Sequence, residues 1–373
     1  MPKRIQLLSL LIAISFFSCN NGVKKSITPI SNIDTDFLVT EKLEIKLFNK
    51  YSILGNGLCV IDDSVLWYLE DGEHDFGSCH DLNTGKKLSI IASKGEAANE
   101  LIKLTGLKIE GDSVLIDEGQ NTIKTFAKKD IIDNIPMEDR KVSVTTVPND
   151  IFVSRMAKLP NGSALVTIRP AVYQYEKKII NETNKKSIAI FNHNDTKSYE
   201  TIKYDSFDVE KAKKKEIPAN DLIKFTYAQG SIEIKDDNMA VISAHNQFIL
   251  YTLDLDSGNV LNEKRYTRVL RDGGERSFTS TNDMNLRIHF MKVNDKYILC
   301  KVDGYFSEED KEVELKKDAI FVFDWDLNPI KKFELPDTDG MRGYYTISND
   351  CSSVYFCEYN KEGLTLHKAD LNI

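Results

Sequence analysis

Carboxylates are the most numerous side chains here that could do chemistry, with 57 Asp and Glu against 49 Lys and Arg. Asp117 and Glu358 each end an apolar run and could face a central pocket. Cleavage of a glycosidic bond needs two carboxyl groups at a defined separation, so a glycan-active lyase or hydrolase is one reading of them. His74 and His80 flank a hairpin with Asp71 and Asp75, a set able to hold a metal, although a solvated acidic loop fits the same residues better. Asp254 and Asp256, followed by Ser257-Gly258, begin like a calcium loop, but the spacing is not completed. They read as a tight turn. Lys211, Lys213, Lys214 and Lys215 are interleaved with Glu210 and Glu216, as on the exposed face of a short connecting helix. The chain has no GxSxG, no HExxH, no P-loop and no GxGxxG opening a helix. No catalytic residue, metal or cofactor is expected, and binding without catalysis is favoured over the enzyme.

The remaining kind of reactive group is thiol. Cys19 follows Phe16-Phe17-Ser18, directly after a basic Lys3-Arg4 and an apolar run from Ile5 to Phe17. That run has the length of an export signal and is short for a membrane-spanning helix. A small residue before a cysteine at this point resembles the lipobox of bacterial lipoproteins. The resemblance implies cleavage after residue 18 and lipidation of Cys19, with several acyl chains making a stable anchor. Residues 19–36 are polar and aperiodic at their start and read as a flexible tether. No acidic cluster follows the cysteine, which points to an outer-membrane anchor facing the periplasm. Cys59, Cys79, Cys300, Cys351 and Cys357 remain, an odd number with no CxxC spacing. An oxidising compartment would allow one disulfide among them, with the pairing open; Cys300 and Cys357 stand in apolar runs, like small buried hydrophobes.

The net charge of −8 becomes more negative once Lys3 and Arg4 leave with a signal. Nucleic acid and anionic headgroups both need clustered cations, so nucleic acid is not an expected partner and membrane contact is expected only through the lipid.

What must position any rim of functional residues is a repeat. Asp62-Asp63-Ser64, Gly111-Asp112-Ser113, Pro160-Asn161-Gly162-Ser163, Asp236-Asp237-Asn238, Asn294-Asp295-Lys296 and Asn349 to Ser353 each precede a continuous β-rich run. Asp, Asn and Gly tolerate positive φ or bond their own backbone, so each is a hairpin signal. Unbroken apolar runs suit strands covered on both faces. Further strands flank each hairpin, giving about four per unit and six units. Four-stranded units repeated radially predict an all-β, six-bladed β-propeller over residues 37–373. The sixth unit lacks its outer strand, and Lys42 to Phe48 at the other end supplies a spare one. The N-terminal strand is therefore expected to complete the last blade and remove an exposed edge.

Taken together, FFSC, the repeated turns and Ser93-Lys94-Gly95-Glu96-Ala97-Ala98-Asn99-Glu100-Leu101 after the first unit resemble a TolB-like six-bladed propeller family of bacterial lipoproteins. The family has a Gly-Arg-Gly-Pro-Gly-Glu-Phe loop at the last of these places; Lys94-Gly95 and Glu100-Leu101 match it in kind, while its Pro and second Gly are missing. The resemblance implies a membrane-anchored propeller facing the periplasm.

In such a ring, loops from second to third strand and from one blade to the next open on one rim. The longest insertions, Pro170 to Lys186 and Asp303 to Lys317, and the linker Thr267 to Asn285 fall there. Loops of such length are uncommon without a binding role. Lys94, Glu96, Arg169, Tyr173, Tyr175, His245, Arg271, Arg276, Tyr305 and Arg342 are the expected contact residues, Tyr and Arg being enriched where interfaces gain energy. Glu70, Asp117, Glu118 and Glu358 would line the inner rim. The partner expected is a protein, a peptide or a glycan.

Overall fold

Tight turns form where Asp, Asn and Gly cluster, with Asp63, Gly111, Gly162 and Gly258 all at positive φ. Between them β-branched and aromatic runs pair as antiparallel strands. The computed structural model describes residues 31, 33–55, 57–119, 121–168, 186–192, 196–199, 230–244, 248–266, 287–303, 318–338 and 341–373. The strands assemble into six sheets of four neighbouring antiparallel strands, a six-bladed β-propeller. Blade 1 is Leu58–Asp62, Val65–Asp71, Asp75–Asp81 and Lys87–Ser93. Blade 2 is Gly106–Glu110, Ser113–Gly119, Thr122–Ala127 and Val142–Thr146. Blade 3 is Val153–Lys158, Ala164–Ile168, Ile188–Phe191 and Thr196–Tyr199. Blade 4 is Ile232–Ile234, Met239–Ser243, Ile249–Asp254 and Val260–Arg265. Blade 5 is Arg287–Val293, Tyr297–Asp303, Ala319–Asp324 and Pro329–Glu334. Blade 6 joins Gly343–Ile347, Ser353–Asn360 and Gly363–Asp370 to the N-terminal strand Lys46–Tyr51.

The middle strands of a propeller blade bury both faces, one against each neighbouring blade. The core is accordingly not one mass but six layers between blades. In the second strand of blade 1, Val65, Trp67 and Leu69 pack with blade 2, while Leu66 and Tyr68 pack with blade 6. In the second strand of blade 6, Val354 and Phe356 face blade 5, and Tyr355 and Cys357 face blade 1. This two-sided burial is why the runs are apolar without alternation.

Closure by the N-terminus is as the sequence predicts, and the path is longer than expected. Lys46–Tyr51 pairs antiparallel with Gly363–Asp370. The predicted single strand from Lys42 to Phe48 is instead two. Thr40–Lys42 pairs parallel with Lys332–Glu334 as a fifth strand of blade 5. Between the two strands, Leu43 and Ile45 turn into the layer between blades 5 and 6. A register shift follows Leu47, which is exposed. Upstream, where a tether was expected as far as residue 36, Ile33–Asp36 is a helical turn. Its Asp36 accepts from the Tyr266 hydroxyl at 2.8 Å and pairs with Lys264 at 2.6 Å. Phe37 inserts between blades 4 and 5, edge-on to Phe321 and Phe323 with ring centres at 4.8 and 5.3 Å. The N-terminal segment is thus a strap across blades 4, 5 and 6.

Candidate functional site

The two faces of the ring are built differently. On one face lie the turns from first to second and from third to fourth strand. Their carboxylates and amides fold back on the backbone. Asp81 Oδ1 accepts from Thr84 N at 2.7 Å, Asp254 Oδ1 from Asp256 N at 2.9 Å, and Asp324 Oδ1 from Asn328 N at 2.8 Å. Leu82, Leu255 and Trp325 follow these aspartates and are buried beneath the turns. Asp254 is therefore a turn cap: its bonds with the Ser257 hydroxyl and neighbouring N–H groups hold its carboxyl below the ordinary carboxylate range. The third-to-fourth connection of blade 2 departs from this pattern and carries a short helix, Lys128–Ile132.

The opposite face receives the ends of the second strands and the starts of the third. The chain from Ile168 to Ile188, from Tyr199 to Ile232, from Arg265 to Arg287 and from Asp303 to Ala319 leaves and returns on this rim. Arg169, Tyr173, Tyr175, His245, Arg271, Arg276 and Tyr305 lie outside the described residues, as do Cys19 and the lysine-rich segment 211–215.

The described rim residues divide into free and committed groups. Lys94 pairs with Asp71 and lies 4.8 Å from the centre of the Phe76 ring. A parallel bridge between Lys94 and Leu101 closes the loop after blade 1. Within it Glu100 turns back, accepting from Ala97 N at 3.0 Å and lying so close to Gly95 that a Cβ there would meet its carboxylate at 1.9 Å. Glycine at 95 thus serves the compactness of the loop. Glu96 at its tip is exposed. Glu118 is not a rim carboxylate open to a ligand: it is 7% exposed, accepts from Ile102 N at 2.7 Å and pairs with Lys124 at 3.2 Å. Lys124 also donates to Glu100 O at 2.5 Å, so this buried pair ties the loop to blade 2. Asp117 accepts from Gly119 N at 2.8 Å and shapes the bulge there. Glu358 bonds His367 Nε2 at 2.9 Å. Glu70 is partly buried; burial and the nearby Asp75 push its carboxyl above the ordinary value. Arg342 is exposed, and among the described residues its guanidinium has no partner. The two histidines considered as ligands are separated by environment: His80 is buried on Ser78 Oγ at 2.9 Å, and His74 is exposed.

The centre of the ring holds a charged cluster that sequence reading does not reveal. Lys108 of blade 2 pairs with Glu110 at 2.9 Å and with Glu233 of blade 4 at 2.8 Å, skipping blade 3. Lys292 of blade 5 donates to Asn349 Oδ1 at 3.3 Å. Asn349 in turn donates to Asp62 Oδ1 at 3.0 Å and to Ile109 O at 3.2 Å. Lys128 completes the set on Asp62 at 2.8 Å. Three lysines thus meet Glu110, Glu233 and Asp62. Burial depresses the Lys292 ammonium, partly offset by Glu233, whereas the two glutamates outweigh burial at Lys108 and raise it. These contacts cross the axis near the face of short turns and bridge blades 1, 2, 4, 5 and 6. The one signal in the sequence was charged residues at the ends of first strands, and nothing local says that they meet.

No family model matches this chain, and no curated protein matches it. Solved structures resemble it at low similarity. The β-propeller domain of Myceliophteria thermophila Cps50 (Swd1) is 9% identical, with a TM-score of 0.42 over 87% of this chain and 100% of that one. Kuenenia stuttgartiensis hydrazine synthase is 11% identical, with a TM-score of 0.43 over 83% of this chain and 76% of that one. The six blades rest on the strand pairing above and gain no functional meaning from either protein.

Proposed function

We propose that this chain is a non-enzymatic binding propeller of the bacterial cell envelope, exported and held by lipid on Cys19, of the TolB-like kind its sequence resembles. Its anchor sits in the outer membrane and its body faces the periplasm. The partner is a protein, a peptide or a glycan, held on the rim that receives the long connections. The observation that supports this most is the charge-paired cluster that joins the blades across the axis. An enzyme of the glycan-cleaving kind would place two carboxylates across an open pocket. Here Glu110 and Glu233 share Lys108, and Asp62 pairs with Lys128. Asp117 is spent on a bulge and Glu358 on His367. What the ring leaves for a partner is the rim, where Lys94, Glu96 and Arg342 stand at the surface. Tyr and Arg in the connections supply area with polar tips.

The test is crosslinking in intact cells followed by mass spectrometry. Replacing Arg169, Tyr173 and Arg342 together by Ala should remove the specific crosslinks, while Ala at Asp63, Asp112 and Asp237 on the opposite turns should leave them. The reverse pattern places the partner on the other face and overturns the assignment.

A further inference from the structure

Blades 1 and 6 are the first and last of the ring, and their contact is where the propeller is closed. The layer between them contains Cys59, from the innermost strand of blade 1, and Cys357, from the second strand of blade 6. Both are buried, at 4% and 0% exposure. They share one buried layer, and each thiol perturbs the ionisation of the other. Two tyrosines of blade 6 enclose the pair. Tyr344, the ladder partner of Cys357, receives a hydrogen bond from Cys59 N and donates to Gly57 O at 3.3 Å. The Tyr359 hydroxyl lies 3.8 Å from Cys59 Sγ and also donates to Gly57 O. The remaining described cysteines are differently placed. Cys79 contacts Ser89 Oγ at 3.1 Å, Cys300 lies between blades 4 and 5, and Cys351 sits in a turn at positive φ. Among the described cysteines, Cys59 and Cys357 are the two that share an inter-blade layer.

We infer that Cys59 and Cys357 are a disulfide-forming pair that locks the first blade to the last. Closing the bond needs an oxidant, here an external disulfide of the glutathione type. One cysteine thiolate attacks that disulfide and expels the first small thiolate. The other cysteine then attacks the mixed disulfide and expels the second. The two protein thiols lose two protons and two electrons, and the external disulfide is reduced to two thiols. The environment supports this division of labour. Burial opposes ionisation of Cys59, but hydrogen bonds from Cys357, Tyr344 and Tyr359 outweigh it and hold the thiol below its ordinary value. Burial raises the Cys357 thiol, so Cys59 attacks first and Cys357 gives up its proton as it attacks in turn. A thiolate is the attacking species in such exchange. The pair is covered in the folded ring, so exchange requires the seam to open or takes place as the ring closes. Once formed, the bond spans nearly the whole propeller and restrains the unfolded chain over a very long loop. Hydrogen-bonded pairing by the N-terminal strand at the outer edge and a covalent bond from the second strand would then hold the same blade.

Formation of this bond in cells rests on the export proposed above, whereas formation in a test tube does not. The full chain is unfolded, refolded with oxidised and reduced glutathione, alkylated, and mapped by mass spectrometry without reduction. The expected product is a peptide linking Cys59 to Cys357, with Cys79, Cys300 and Cys351 alkylated. The oxidised protein should melt about 3–6 °C above the reduced one. That gain should vanish in Cys59→Ser and in Cys357→Ser, and persist when Cys79 or Cys351 is changed to Ser. Should a serine variant fail to fold, Cys59→Ala with Cys357→Ala replaces it, and its melting point should not respond to the redox buffer. Free Cys59 and Cys357 after refolding, or linkage of either to a different cysteine, overturns the inference wherever the protein resides. The same mapping on cells alkylated before lysis separates the two ideas. A pair that forms in vitro and is reduced in cells leaves the disulfide standing and overturns the proposed export.

Discussion

Replacing Phe37 by Ala separates a structural strap from a mere leader to the propeller. Phe37 is 5% exposed and lies edge-on to Phe321 and Phe323 in the layer between blades 4 and 5. Its neighbour Leu38 is 86% exposed. Truncating a buried Phe to Ala costs about 3–5 kcal/mol, from lost transfer energy and the cavity left behind. An exposed apolar residue stays within about 0.5 kcal/mol. With a urea dependence of about 3 kcal/mol per molar, the Phe37→Ala midpoint should fall by roughly 1 M or more. Leu38→Ala should be indistinguishable from the parent. The assay is equilibrium urea unfolding followed by tryptophan fluorescence. Trp325 reports from the same layer as Phe37, and Trp67 reports from the layer between blades 1 and 2. Equal midpoints for the Phe37 and Leu38 variants would refute the strap. So would loss of the Trp325 signal alone with Trp67 unchanged, because the strap would then stabilise one layer and not the ring.

Deleting residues 37–50 should destabilise the whole domain, since it exposes the edge of Gly363–Asp370 and empties two inter-blade layers; an unchanged melting temperature contradicts this. Asp36 is opposed by burial, but its bonds with Lys264 and Tyr266 prevail and hold its carboxyl below the ordinary value. A lowered folded pKa contributes stability above the unfolded value of about 3.9, lost as pH falls through the folded one. Asp36→Asn should therefore lower the urea midpoint at pH 7, and its deficit should shrink as the pH drops below about 4. Glu233→Gln should cost about 2–4 kcal/mol by leaving Lys108 and Lys292 less compensated near the axis, and adding Lys108→Met should recover part of the loss in a double-mutant cycle. Cys19→Ala should release the protein from the membrane fraction, and a variant that still sediments after a high-salt wash shows that lipid on this residue is not the anchor.

The sequence by itself determined what is local. Turn geometry is written within four residues, because Asp63, Gly111 and Gly258 reach positive φ and Asp81 or Asp254 bonds backbone two or three positions on. Strand character follows from runs such as Val65 to Leu69 that bury both faces. Six units and a missing outer strand then suffice to place Lys46–Tyr51 on the last blade. Tertiary structure decided whatever depends on blades meeting. Glu118 looked like a rim carboxylate because its strand end points that way, yet Lys124 and Ile102 N claim it. Lys42 to Phe48 read as one strand, since alternation cannot show that Thr40–Lys42 serves blade 5 before the chain crosses to blade 6. Lys108 and Glu233, or Cys59 and Cys357, become neighbours only when the ring closes. No pattern along the chain encodes such contacts, because the blades between can vary in length without moving either partner.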